Sequence, residues 1–359
     1  MEAKVSYEST DGVTSSMGRI TLYFLLNLLA VLPLTGCSDH TSTAMWEDYA
    51  SRIGNVFDSD IDLSKGTALV IKLPAKNQRQ HTLQPPNISL LQFLKLYQCE
   101  VNTLVAQRNG PLGKVMLPSQ TLIYVSQFIP MAKQCLAASS INTENTEALT
   151  EAIGFYQKNR HLYFDNALFH DEFAGLFHAA HLWPMGEHFP ASGVPGLGVW
   201  LKLKQQMQAD NWPTIDLNEQ ELETALHSLQ QGPLAGQWLQ EIHQASRYLT
   251  AMTTSMNAHK GLCLYSQQSV EKTALLNVFR LFFTQKAQPW ISQLNRFGQS
   301  FEKQLGSLAA TQPAVQNFFQ ATFVTQHSPW QTFQKHWQAH VKAWQRHLNQ
   351  CQSMPGQNR

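Results

Sequence analysis

Near the C-terminus Trp330, Trp337, Trp344 and Cys351 fall seven residues apart, a spacing that brings all four to nearly one face of a single helix. Ser328, Pro329 and Gln331 precede this row as an N-cap, a first-turn proline and a capping-box partner. A helix with three tryptophans on one stripe must bury that stripe against other helices, so Cys351 points inward with it. The same periodicity dominates the chain from residue 44 onward. Trp46, Tyr49, Ile53 and Phe57 recur at three- and four-residue steps, and Asn87 caps a helix through "ISLLQFLKLYQ". A short helix, a Gly/Pro turn and a longer helix from about Pro118 follow. Residues 144–182 read as helical almost throughout, with Phe155, Tyr156, Leu162, Phe169, Phe173 and Phe177 as an aromatic core stripe. Further helical patterns cover about 216–228, 233–258, 270–309 and 314–352.

Two stretches break the pattern. "TALVIKLP", residues 67–74, is the best strand candidate, and "WPMGEHFPASGVPGLGVW", residues 183–200, holds three prolines and four glycines. Long loops of that kind are functional or mark a boundary. The expected fold is therefore mainly α. It is a multi-helix body with at most a short strand or hairpin near 67–83, built as an N-terminal helical half (44–182), a Gly/Pro-rich connection (183–215) and a C-terminal helical half (216–359).

The amino terminus carries an address. Ile20 to Leu34 is an almost uncharged run of 15 residues, shorter than the roughly 20 that a membrane-spanning helix needs and suited to a signal-peptide core. Residues 1–16 carry Glu2, Lys4, Glu8 and Asp11, a net charge of minus two, whereas a start at Met17 puts Arg19 directly before the apolar run. Met17 is the better start for such a leader. Leu34-Thr35-Gly36-Cys37 resembles the lipobox of bacterial lipoproteins, which implies cleavage after residue 36 and a covalent lipid on the Cys37 thiol. Acyl chains contribute about 0.8 kcal/mol per buried CH₂, so the attachment is effectively permanent. Ser38, at the second position of the processed chain, favours the outer membrane over the inner, although Asp39 follows. Residues 37–43 would be a tether reaching at most ~25 Å, which holds the body close to the bilayer on the periplasmic face.

Export leaves Cys99, Cys135, Cys263 and Cys351 in an oxidising compartment. Three connectivities are possible. Pairing Cys99 with Cys135 and Cys263 with Cys351 is favoured, because each bond then closes a loop within its own half.

A formal charge of +1, with only 14% charged residues and no long run of like charge, gives no electrostatic footprint for nucleic acid. Beyond the covalent lipid no cofactor is implied. His336, His340 and His347 lie beside the tryptophan seam and read as interfacial side chains rather than ligands. His178 and His181, three apart, are weak metal candidates, with Glu187 and His188 in the following loop as further donors. "NGPLGK" at 109–114 lacks phosphate-loop spacing, and no nucleophile elbow or placed carboxylate pair occurs.

"AMWEDYASRIGNVFD", "AQRNGPLGKVMLPSQTLIY", the late "GLC" and the final "HVKAWQRHLNQC" resemble the domain-of-unknown-function 3080 family of proteobacterial lipoproteins over nearly the whole mature chain. The most specific piece runs from Arg108 to Gln120, where the family pattern is R-N-x-x-L-G-K-V-M-x-P-S-Q. The resemblance implies a lipoprotein, assigns no chemistry, and directs attention to Asn109, Lys114, Ser119 and Gln120 as possible binding residues. Their structural reading is a turn at Asn109, a solvated Lys114 and a helix start at Ser119 and Gln120. The sequence thus points to an envelope lipoprotein that binds or scaffolds an envelope protein partner and leans away from catalysis. The alternative is an envelope hydrolase or metal-dependent enzyme with a site near His178, His181 and Glu187.

Overall fold

Helix boundaries follow local chemistry throughout the computed structural model, which describes residues 41–356 apart from 64–68, 90, 91, 93, 95, 139–142, 179, 180, 209–217, 260, 261 and 264–269. The expected leader 1–36 and Cys37 lie outside the described residues. Helix α1 (Ser42–Phe57) begins where Thr41 accepts a hydrogen bond from the Ala44 amide, and it ends at Asp58, whose left-handed φ of 45° lets its N–H reach the Gly54 carbonyl. Trp46, Tyr49, Ile53 and Phe57 are all buried, as their spacing requires. Helices α2 (Val101–Asn109) and α3 (Pro118–Ala137) are joined by a turn containing a 3₁₀ stretch, Leu112–Val115. The Cys99–Cys135 disulfide, with Cα atoms 5.4 Å apart, ties the start of α2 to the last turn of α3.

The near-continuous helix expected over 144–182 is three helices: α4 (Thr143–Lys158), α5 (Arg160–Leu168) and α6 (Asp171–Gly175). Side chains cause the breaks. Asn159 turns its amide back onto the Phe155 carbonyl at 2.9 Å, in competition with the helix ladder. Arg79 donates to the Phe169 and His170 carbonyls at 2.5 and 2.6 Å, supplying from outside the partners that a helix end lacks. The Gly/Pro-rich connection also needs correction, because it contains α7 (Pro195–Gln208). Pro195 suits a first helical turn, and Leu197, Trp200, Leu203 and Met207 are buried along one face. The concentration of glycine and proline masks that period.

Helix α8 (Glu219–Gln231) is capped by Asn218, which accepts from the Glu221 amide at 3.2 Å. Then come α9 (Leu234–Ala258), α10 (Val270–Val278), α11 (Gln288–Leu308), α12 (Pro313–Phe319) and α13 (Pro329–Gln350). A π-helical stretch, Phe279–Ala287, links α10 to α11. The single helical pattern expected over 314–352 is divided, since another π turn, Gln320–Val324, ends the first part and Ser328 starts α13 by accepting from the Gln331 amide at 3.2 Å. The Gln331 side chain completes no capping box; it donates instead to the Phe323 carbonyl at 2.9 Å.

No strand forms among the described residues. Residues 69–74 of the strand candidate are extended but unpaired, and a single helical turn, Lys76–Arg79, follows. Leu69, Ile71 and Leu73 are partly buried against the helices, so an alternating apolar pattern here marks a segment lying on the core rather than in a sheet. Among the described residues the one β pairing is an isolated bridge between Thr41 and Pro184.

Residues Thr41–Arg359 form one compact unit. In it α9 packs against α1, α11 and α13, while α8 packs against α3, α6 and α7. Trp238 of α9 meets Trp330, Phe297, Phe301 and Phe323 with ring centroids 5.4 to 6.0 Å apart. Gly298 makes this possible, because a Cβ there would stand 2.6 Å from both Trp238 and Trp330. The seam expected on α13 is present: Trp330 and Trp344 are buried, Trp337 stacks on Phe283, and Cys351 is bonded to Cys263 with a Cα separation of 5.1 Å. Among the described residues no helix is long and apolar enough to cross a membrane.

Candidate functional site

The turn between α2 and α3 carries the Arg108–Gln120 pattern, and it is built around a guanidinium. Arg108 Nη1 donates to the Gly113 carbonyl at 2.8 Å and lies 3.5 Å from Met116 Sδ. Gly113 must be glycine, since a Cβ would fall 2.1 Å from the Arg108 carbonyl oxygen. The Gln120 side chain accepts from the Leu117 amide at 3.1 Å and so starts α3. These contacts fold the turn tightly and push apolar side chains outward: Leu112, Val115 and Leu117 are all exposed.

Behind the turn lies a tyrosine cluster. The Arg108 guanidinium sits 5.9 Å from the centre of the Tyr124 ring, close enough for attraction to the ring face. Tyr124, Tyr156 and Tyr163 follow in a row with ring centroids 6.2 and 5.7 Å apart. Burial pushes all three phenols up, and the Arg108 charge only partly opposes this. They stay protonated as donors. The Tyr163 hydroxyl is buried without a partner.

His81 approaches this cluster from the chain just after the helical turn Lys76–Arg79. Asn166 of α5 clamps its main chain, accepting from the His81 amide at 2.6 Å and donating to its carbonyl at 2.8 Å. His81 Nε2 lies 3.6 Å from Asp165 Oδ2. Asp165 is fully buried and accepts from Thr311 Oγ1 at 2.7 Å. Burial raises its pKa, against the Thr311 hydrogen bond and the charge of Lys204.

Three concavities surround the motif. A groove of about 570 Å³ is lined by Leu104, Leu112, Val115, Met116, Gln120 and Tyr124. A cavity of about 200 Å³ includes Arg108, Asn109, Lys114 and Tyr156. A third, of about 190 Å³, is lined among others by His81, Arg108, Tyr163 and Asn166. Of the four residues singled out in the sequence, Asn109, Lys114 and Gln120 are exposed and line these spaces, and Ser119 is buried. Sequence reasoning missed His81, Tyr124, Tyr156 and Tyr163, which come from separate elements. Arg108 opens the family pattern and was the available signal.

The weak metal candidates are arranged differently from the expected helix. α6 stops at Gly175, so a spacing of three does not place His178 and His181 on one helical face, and both, with Glu187, are exposed. Among the described residues no group of three or more His, Cys, Asp or Glu side chains is placed to hold a metal ion.

A second polar cluster joins α1, α9 and α13. Trp344 Nε1 donates to the Tyr49 hydroxyl at 2.7 Å, Tyr49 reaches His340 Nε2 at 2.7 Å, and His340 Nδ1 meets Thr253 Oγ1 at 2.9 Å. For Tyr49 to donate to Nε2, the proton of the neutral imidazole must sit on Nδ1. Burial pushes the His340 pKa down to about 3, which keeps it neutral. His347, about two helical turns further on, contacts the Met256 carbonyl at 2.9 Å.

No curated protein and no solved structure matches this chain. Residues 46–355 match the family described as protein of unknown function, DUF3080. That span takes in the motif turn, both disulfides and the tryptophan seam, and the chain therefore belongs to the DUF3080 family.

Proposed function

We propose that this protein is an outer-membrane lipoprotein, acylated at Cys37 after removal of residues 1–36, whose periplasm-facing helical body is a binding or scaffold module. The observation that carries the reading is Leu34-Thr35-Gly36-Cys37 at the end of a short apolar run. The cysteines support it, since all four that follow are joined in two disulfides, a use of cysteine suited to an oxidising compartment. The binding role rests on the turn at Arg108–Gln120, where exposed Leu112 and Val115 border a groove. Apolar side chains gathered beside a concavity are the usual mark of an interaction site.

Substitution of Cys37 by Ala separates this reading from a plain secreted protein. The variant should leave the membrane fraction and keep its leader, as read by fractionation and by the mass of the N-terminal peptide. Unchanged membrane association and processing would sink the proposal.

A further inference from the structure

We infer that the cavity bounded by His81, Arg108, Tyr163 and Asn166 is a binding site for a small organic monocarboxylate with a short apolar body. The inference rests on the reading of the body as a binding module and is independent of the lipid anchor. Arg108 supplies the charge. Only its Nη1 is engaged, with Gly113 and Met116, and among the described residues no carboxylate forms an ion pair with it. A guanidinium offers five donors in a planar fork that matches a carboxylate, so most of its capacity is open.

Tyr163 supplies the second donor. It is 95% buried, since only 5% of its surface is exposed; the residue lines the cavity, and its hydroxyl is buried with no protein partner. Leaving such a group unpaired costs about 1–3 kcal/mol, which makes it a position waiting for an acceptor. His81 is fixed on the third side by the Asn166 clamp and by Asp165 behind it.

The remaining walls set the ligand class. Leu83, Pro85, Met116 and Pro118 make much of the lining apolar, and no lysine or acidic side chain takes part. One permanent positive charge balances one negative charge, whereas a phosphate dianion would enter with uncompensated charge at high desolvation cost. The volume of about 190 Å³ is below the ~300–1,000 Å³ of sites for drug-sized ligands, which restricts the apolar body to a few carbons.

The full chain, purified in a neutral detergent, can be titrated calorimetrically with butyrate, and with butyramide and inorganic phosphate for comparison. Butyrate should bind at one saturable site, with both comparison compounds at least about tenfold weaker. Arg108→Gln should weaken butyrate at least about tenfold, and Tyr163→Phe about fivefold without lowering the thermal midpoint. Arg108 also holds the motif turn, so Arg108→Gln tests the site only if its circular dichroism matches the parent. Tyr163→Phe removes an atom with no partner and carries the test otherwise. No saturable butyrate binding, equal binding of butyramide or phosphate, or an unchanged affinity in Tyr163→Phe overturns the inference. Fractionation of Cys37→Ala reads the anchor separately, so failure here leaves the lipoprotein reading intact.

Discussion

The two buried polar clusters of this protein are opposites in how they are partnered. Around His340 the Tyr49 hydroxyl, both imidazole nitrogens and the Trp344 indole N–H are all engaged, across α1, α9 and α13. Around Arg108 the polar atoms outnumber their partners: Tyr163 has none, and the guanidinium uses one nitrogen. A network that closes on itself fixes how three helices pack and has no capacity left for a ligand. A network left open beside cavities carries a cost that a group bound there would offset. Family membership alone does not make this distinction; the hydrogen bonds do.

The largest effect that would break the comparison comes from the closed side. Trp344→Ala should cost about 4 kcal/mol in urea unfolding, from the lost aromatic volume together with the Tyr49 hydrogen bond, since Trp344 is buried against Phe279 and Phe283. A cost below about 1 kcal/mol would mean that the seam on α13 does not organise the core.

Next in size is a pH effect at Glu241 on α9. Its carboxylate accepts from Ser42 Oγ at 2.9 Å and from the Trp183 amide at 3.2 Å, and burial still pushes its pKa up to about 7. Between pH 4.5 and 7 the folded state therefore holds a proton that the unfolded state has released, and stability from this group is lost as pH rises through that window. Glu241→Gln should match the parent near pH 4 and exceed it by about 3 kcal/mol at pH 8. A gap that does not grow with pH would refute the assignment. His340 acts in the opposite sense: with its folded pKa at about 3, stability falls as pH drops from 6.5 toward 3, because the unfolded imidazole protonates first.

The smallest effect sharpens the comparison most. Tyr49→Phe removes a hydroxyl that bridges Trp344 and His340 and should cost about 1–2 kcal/mol. Tyr163→Phe removes one that bridges nothing and, by relieving an unpaired buried hydroxyl, should raise stability by about 1 kcal/mol or more. Equal costs for the two variants would show that the clusters are not distinct in kind.

Helical periodicity was legible wherever the apolar face was unbroken. α1, α9 and α13 lie where Trp46 to Phe57, Trp238 to Met256 and the seven-residue tryptophan row put them, because burying a stripe is a property of spacing alone. The failures share a cause. The breaks near Asn159 and His170 depend on side-chain bonds, one of them from Arg79 far away in sequence, and α7 hides among glycines and prolines whose composition argues against a helix. The segment 69–74 alternates like a strand but finds no strand to pair with.

The candidate site divides along the same line. Asn109, Lys114 and Gln120 were legible, since they lie on one contiguous motif, and Tyr124 ends that same stretch without standing out in it; His81, Tyr156 and Tyr163 come from three other stretches of chain, and nothing local marks them. The cysteine pairing could be argued from loop closure within each half of the chain, and the bonds observed follow it. By itself the sequence determined the helical class, the inward face of α13 and the family, because these depend on local spacing and on contiguous residues. Only the tertiary structure decided which polar groups are satisfied. A hydrogen bond depends on the meeting of residues such as Tyr49 and His340, 291 positions apart, and chain order does not encode that distance.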